Sequence, residues 1–219
     1  MSRLLRHRFS IDDAKRELQE FETLLASKID LDETGDVLPA FRRWPNLCCC
    51  MALLDVRMGI GDRYRCEYEV GNAFRCDILI NREDSNRFLF VELENAKADS
   101  IFRSTRSRAT PEWSPRFNNG LNQIIDWFCY NDSASLIPQF REEFGANHIS
   151  QVGLLVIGRD AFLPAGSMLR NRWEWRQKHL PDHKLIIFMM TYDDLYRDLK
   201  SHLLMLEAMF RSKAPTVSL

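Results

Sequence analysis

Phe74-Arg-Cys-Asp-Ile-Leu-Ile80, then Asn81-Arg-Glu-Asp-Ser-Asn86, then Arg87-Phe-Leu-Phe-Val-Glu-Leu-Glu-Asn95 is the stretch on which the fold turns. Two short apolar runs flank a polar hexapeptide, the pattern of a β-hairpin. A turn centred between positions 84 and 85 sets Asp77 directly opposite Glu92, and Glu94 follows two residues on, so all three are expected on one face. Opposed residues have Cβ atoms about 4.5–5.5 Å apart, and an i, i+2 step along a strand is about 6.6–6.8 Å. Three carboxylates can then converge on one point. Like charges opposed across a ladder repel, and Phe88 and Phe90 on the same face point to low exposure, so a compensating cation is expected. A hard divalent ion, Mg²⁺ or Mn²⁺, binds through a few carboxylates plus water and leaves positions open for a phosphate oxygen and an attacking water, which leads to phosphodiester hydrolysis. An exposed hairpin with solvated acids explains each acid singly but not their register in so apolar a strand. The geometry alone leaves both readings open.

Outward from the hairpin, Arg63–Val70 alternates in part and precedes Gly71-Asn72, a turn signal, so a third strand is expected. Ile11 to Ile29 reads as an amphipathic helix with Ser10 as N-cap and Asp12 and Asp13 in its first turn. Leu47–Asp55 is apolar, and periodicity does not decide its type. Asn118–Tyr130 places Leu121, Ile124, Ile125 and Phe128 on one helical face, with Gln123 and Asp126 elsewhere on the wheel. Val152–Ile157 and Lys184–Met190 are continuous apolar runs, expected as central strands. Thr191 with Asp194 forms a capping-box variant that opens a last helix through Phe210. No repeat or linker interrupts the chain. One α/β domain over 1–219 is expected, a mixed central sheet flanked by helices, with a helical lead-in over 1–60 and the remaining core over 61–211.

Composition agrees. With 219 residues, 45% hydrophobic and 28% charged, the chain can bury a substantial core, which excludes disordered, collagen-like and coiled-coil classes. No apolar run reaches the roughly 18 residues of a membrane span, and the charged N-terminus lacks a following apolar segment, so a cytoplasmic protein is expected. Cys48, Cys49 and Cys50 read as buried thiols. No cysteine–histidine cluster has zinc spacing, and the pair His179 and His183 encloses Pro181. The net charge of −1 does not announce a nucleic-acid binder. Its distribution says more: Arg103, Arg106, Arg108 and Arg116 crowd one stretch, and five Lys or Arg between 170 and 184 surround Trp173 and Trp175. Charge alone allows two solvated basic faces or a groove for phosphate.

An Asp opening one strand, a hairpin of this length, and Glu-x-charged on the next strand resembles the PD-(D/E)XK nuclease core through Asp77, Glu92 and Glu94. More narrowly, the chain resembles the Shedu family of bacterial anti-phage defence proteins. That likeness rests on Phe74–Asp77, Phe90–Glu94, Gln123-Ile-Ile-Asp-Trp127, Val156-Ile-Gly-Arg159 and Thr191-Tyr-Asp-Asp-Leu195, in that order. It implies a restriction-endonuclease-like core with Asp77 and Glu92 as metal ligands and Gln123 reaching the scissile phosphate or the water. The motif lysine, which orients water and stabilises developing charge, is Glu94 here, a ligand or base that supplies no cation. Lys97 is a candidate replacement cation, and Glu17 or Glu20 a candidate further acid. Solvated surface roles are expected for these three ahead of a place in the site, and Gln123 taken alone reads as a helix-surface amide. Trp127 is expected in the core rather than as a base-stacking platform, and Arg159 in an ion pair with an acid rather than on a phosphate.

The resulting expectation is a Mg²⁺- or Mn²⁺-dependent DNA nuclease of low sequence specificity. Asp77, Glu92, Glu94 and Gln123 form its site, Arg103, Arg106 and Arg108 grip the DNA backbone, Trp173 and Trp175 contact nucleic acid, and the resemblance implies a homo-oligomer. Two rivals stand beside it. One is a nuclease-fold DNA-binding or sensor module that lost turnover with the lysine, and the other is an interaction domain without nucleic acid.

Overall fold

A computed structural model describes residues 4–71, 74–105, 108–179 and 185–213. Asn72 of the turn signal, Arg106, His183 and Lys184 lie outside the described residues. The strands in chain order are β1 (Leu5–Arg6), β2 (Arg63–Val70), β3 (Phe74–Asn81), β4 (Arg87–Leu93), β5 (Phe102–Arg103), β6 (Glu112–Trp113), β7 (Ser150–Val156) and β8 (Ile186–Met190). The helices are α1 (Ile11–Ser27), α2 (Leu38–Arg43), α3 (Pro45–Met51), α4 (Pro115–Ala134), α5 (Pro138–Phe144), α6 (Met168–His179) and α7 (Tyr192–Lys213). Six strands form one mixed sheet in the order β1-β2-β3-β4-β7-β8, while β5 and β6 form a separate ribbon. β2, β3 and β4 run as an antiparallel meander, and β4, β7 and β8 are parallel.

The sheet separates two cores. Leu89, Val91 and Leu93 of β4 pack with Phe21 of α1, Leu47 of α3 and Leu195 of α7. Phe88 and Phe90 pack on the opposite face with Trp127 and Phe128 of α4, Phe144 of α5 and Trp173 of α6. Strand alternation assigns the residues: odd positions of β4 face one layer and even positions the other. Glu92 and Glu94, both even, therefore belong on the face covered by α4.

The capping signals act as expected. Ser10 Oγ accepts the Asp13 amide at 3.3 Å. Thr191 Oγ1 accepts the Asp194 amide at 3.0 Å, and Asp194 accepts the Thr191 amide at 3.3 Å. Trp127 is core. The stretch whose type periodicity left open is helical, as α3 followed by a 3₁₀ turn at Ala52–Leu54. Leu47, Cys48, Cys49, Cys50 and Met51 are all buried, so no exposed face exists to mark a helical period. The six cysteines are free, and burial pushes the Cys49 and Cys50 thiols up, out of nucleophile range. Among the described residues no helix is long and apolar enough to cross a membrane.

Two expectations need correction. β8 is an edge strand rather than a central one, because among the described residues it pairs with β7 alone. Its apolar run is covered by helices on its faces, which burial pattern alone cannot tell from a central position. Ile125 is 36% exposed and does not share the buried stripe of Leu121, Ile124 and Phe128.

Candidate functional site

The hairpin register places Ile78 opposite Val91, Leu79 opposite Phe90 and Ile80 opposite Leu89. The same register carries Asp77 to Glu92, as the turn length predicts. The ladder, however, stops at Ile78, and Asp77 Oδ2 accepts the Leu93 amide at 2.7 Å. On the other side of β3, Glu67 has φ 51, and the pairing of β2 with β3 skips Glu67 and Asp77. Beyond that point Tyr68 and Cys76 join the core on the α4 side, whereas Cys66 and Ile78 pack toward the α1 side. This local twist frees Asp77 from regular pairing and ends the ribbon at the cluster.

Glu92 and Glu94 are buried, 7% and 4% exposed. Each meets a side chain from α4: Gln123 Nε2 donates to Glu92 Oε1 at 2.7 Å, and Arg116 Nη1 donates to Glu94 Oε2 at 2.7 Å. The same guanidinium lies 3.2 Å from Glu33, in the π-helical turn after α1. The end of the strand is pinned by Tyr192, whose hydroxyl donates to the Glu94 carbonyl at 2.6 Å. Close approach of α4 depends on Gly120. A Cβ there would stand 2.8 Å from Leu155 Cδ1 and 3.2 Å from Glu94 Cγ.

Burial raises the Glu92 carboxyl first, and the charges of Asp77, Glu94 and Glu33 add to it against the Gln123 hydrogen bond. Burial likewise raises Asp77, opposed by the Leu93 amide and reinforced by Glu33 and Glu94. Glu94 is raised by burial, with Arg116 pulling the other way. Glu92, Glu94 and the half-buried Asp77 thus share one low-dielectric region, with Glu33 at its more exposed edge and Arg116 as the paired cation.

The convergence of three carboxylates on one point is not realised. Among the described residues no group of three or more His, Cys, Asp or Glu is arranged to hold a metal ion. Each acid is turned onto its own donor: the Leu93 amide, Gln123 or Arg116. The donor chemistry still suits a hard cation, because Mg²⁺ is commonly held by one or two carboxylates and water. Asp77 and Glu92 are a hard-oxygen pair whose mutual repulsion such an ion would relieve.

Sequence reasoning missed Arg116 as the partner of Glu94, Glu33 as the fourth acid, and Gly120. A glycine inside an amphipathic helix costs about 1 kcal/mol against alanine, a signal that marks Gly120 as a close approach. Lys97 is not at the cluster but faces Asp32 at 3.4 Å. Glu17 is buried and accepts from Asn46 and the Leu47 amide, and Glu20 accepts the Trp44 indole, so neither adds to the site. Arg159 pairs with Asp193 and ties off the Leu25 and Lys28 carbonyls at the end of α1.

Arg103 lines a cleft of ≈ 390 Å³ together with Glu94, Arg116 and Asn119. Arg108 is paired with Glu112 at 2.9 Å. Trp173 cannot touch nucleic acid: it is fully buried against Phe117, whereas Trp175 is 63% exposed. Residues two apart on a helix point to nearly opposite sides, and the alternation that suggests a shared face belongs to a strand.

A family model described as Shedu protein SduA, C-terminal, matches residues 11–196. No curated protein matches the chain.

Proposed function

The chain belongs to the family of the C-terminal part of the Shedu protein SduA, which implies anti-phage defence, and from that membership and the buried acids we propose that it is a metal-dependent DNA nuclease with a PD-(D/E)XK core. The observation that carries the reading is the pair Asp77 and Glu92 on neighbouring strands, both raised in pKa first by burial, then Glu92 by the charge of Asp77 and Asp77 by those of Glu33 and Glu94. Such perturbed carboxyls in one place mark a functional site better than a structural one, since the fold gains nothing from their repulsion. Asp77 and Glu92 would hold Mg²⁺ or Mn²⁺. When bound, the ion polarises a phosphate oxygen and makes water a nucleophile at neutral pH.

The chain's own groups supply the rest. Gln123 fixes Glu92 through its amide and keeps the other side of the carboxylate available. Arg116 brings a cation to the position where Glu94 replaces the motif lysine, and there it offsets charge developing on the phosphate. Glu94, raised by burial against the pull of Arg116, would serve as the acceptor for a proton of that water. Arg103, in the same cleft as Arg116, contacts the DNA backbone, with Arg106 and Arg108 in the following segment. A homo-oligomer remains part of the proposal by family likeness.

The test is plasmid nicking with Mg²⁺ or Mn²⁺, comparing wild type with Asp77→Ala and Glu92→Ala. Metal-dependent nicking lost in both variants supports the nuclease. The pairing of Glu94 with Arg116 favours a second reading, a DNA-binding or sensor module without turnover. Salt-dependent DNA binding with no cleavage at any metal concentration would select it.

A further inference from the structure

A second cleft opens beside the carboxylate site. Its volume is ≈ 560 Å³, and Trp113, Met168, Arg172, Trp175 and Arg176 line it with His179. Trp175 stacks one indole face on His179, with centroids 4.3 Å apart and planes 13° apart, yet stays 63% exposed. Met168, at 49% exposure, presents a soft apolar wall next to it.

Among the described residues no ion pair compensates the charge in this cleft. Arg176 lies over the rings of Trp113 and Phe117 at 4.4 and 4.7 Å, and Arg172 over Phe102 and Trp113 at 4.8 and 5.4 Å. Arg172 also donates to the Pro111 carbonyl at 2.6 Å. Both are partly buried, and among the described residues neither meets a carboxylate. Aromatic faces orient two adjacent guanidiniums, and an anion is the missing partner.

An open indole, an apolar wall and unpaired guanidiniums together fit a flat heteroaromatic ring carrying a phosphate. A duplex hides the faces of its bases, whereas a single strand offers them. Trp113 joins this cleft to Ser114, Pro115 and Arg116, which line the cleft at Glu94, so one strand could run from one to the other. A free nucleotide has no use for that continuity.

We propose that the Trp175 cleft captures an unpaired base of single-stranded DNA, with Arg172 and Arg176 on the adjoining phosphate, beside the carboxylate site. The ligand class rests on the nuclease reading. The capture itself is testable without cleavage.

In EDTA, binding of a fluorescent oligothymidylate is compared with an abasic strand of equal length and a duplex of the same sequence. The base-bearing strand is expected to bind about tenfold tighter than the abasic one. Trp175→Ala should erase that advantage and leave abasic binding unchanged, while Trp175→Phe keeps most of it. Trp175 is exposed, so these variants leave the core intact. Equal binding of the base-bearing and abasic strands, or an unaffected Trp175→Ala variant, overturns the proposal. Displacement by thymidine monophosphate at equal nucleotide concentration also overturns it, in favour of a free-nucleotide site. A protein that shows the base preference but never nicks plasmid removes the nuclease reading alone, and one that nicks without the preference removes only the capture.

Discussion

Glutamine at position 92 removes one acid and almost nothing else. The side chain keeps its length, and its amide oxygen can still accept from Gln123, which lies 2.7 Å from Glu92 Oε1. Burial and the neighbouring acids push the Glu92 carboxyl up to about 10. A carboxyl with a folded pKa above its unfolded value binds its proton more tightly in the native state. Its stabilisation is therefore complete below the ordinary glutamate range and is lost as pH rises toward the folded value. Within that window one such group costs about 1.4 kcal/mol for each pH unit. From pH 5.5 to 7.5 the wild type should lose about 3 kcal/mol through Glu92, which the Glu92→Gln protein does not lose. For a chain of 219 residues this corresponds to about 6–12 °C in Tm. Thermal unfolding in EDTA, followed by circular dichroism at both pH values, reads the difference directly. The advantage of Glu92→Gln over wild type must widen by that amount at the higher pH. Parallel Tm curves for the two proteins would refute the account of Glu92 as a strained, proton-retaining acid.

Metal should act in the opposite direction. Mn²⁺ is expected to raise the Tm of the wild type more at pH 7.5 than at 5.5, because ligands must shed protons, and to leave Glu92→Gln nearly unmoved; a pH-independent shift in both proteins would indicate unspecific binding. Arg116→Ala should lower the nicking rate about 100-fold with a smaller effect on DNA affinity, and wild-type turnover in that variant would remove Arg116 from the site. Gly120→Ala gains about 1 kcal/mol of helix propensity but drives a methyl to 2.8 Å from Leu155 Cδ1 and 3.2 Å from Glu94 Cγ. The clash is expected to win, with a net loss of about 1–2 kcal/mol in urea unfolding and reduced nicking; a more stable Gly120→Ala protein would contradict the tight approach of α4.

Where an outcome depends on neighbours along the chain, sequence sufficed. The length of the 81–86 turn sets which residues of β3 and β4 face each other, and the Ile78–Val91 pair obeys it. Ser10, Thr191 and Asp194 cap their helices because a cap reaches only three residues. Family likeness was legible for a related reason: its short motifs sit in strands, within α4 and at the α7 cap, elements whose geometry is local.

What lay beyond reach depends on distant segments. Arg116 reads as one of four arginines in a loop, and only the packing of α4 on β4 aims it at Glu94 and Glu33. Trp173 and Trp175 share composition and context, yet α6 turns one into the core and the other to solvent. β8 has the apolar run of an interior strand and lies at the edge. Local periodicity says which residues want to be buried or paired. It holds no information on which remote partner arrives, because that depends on how the layers of the whole chain close upon one another.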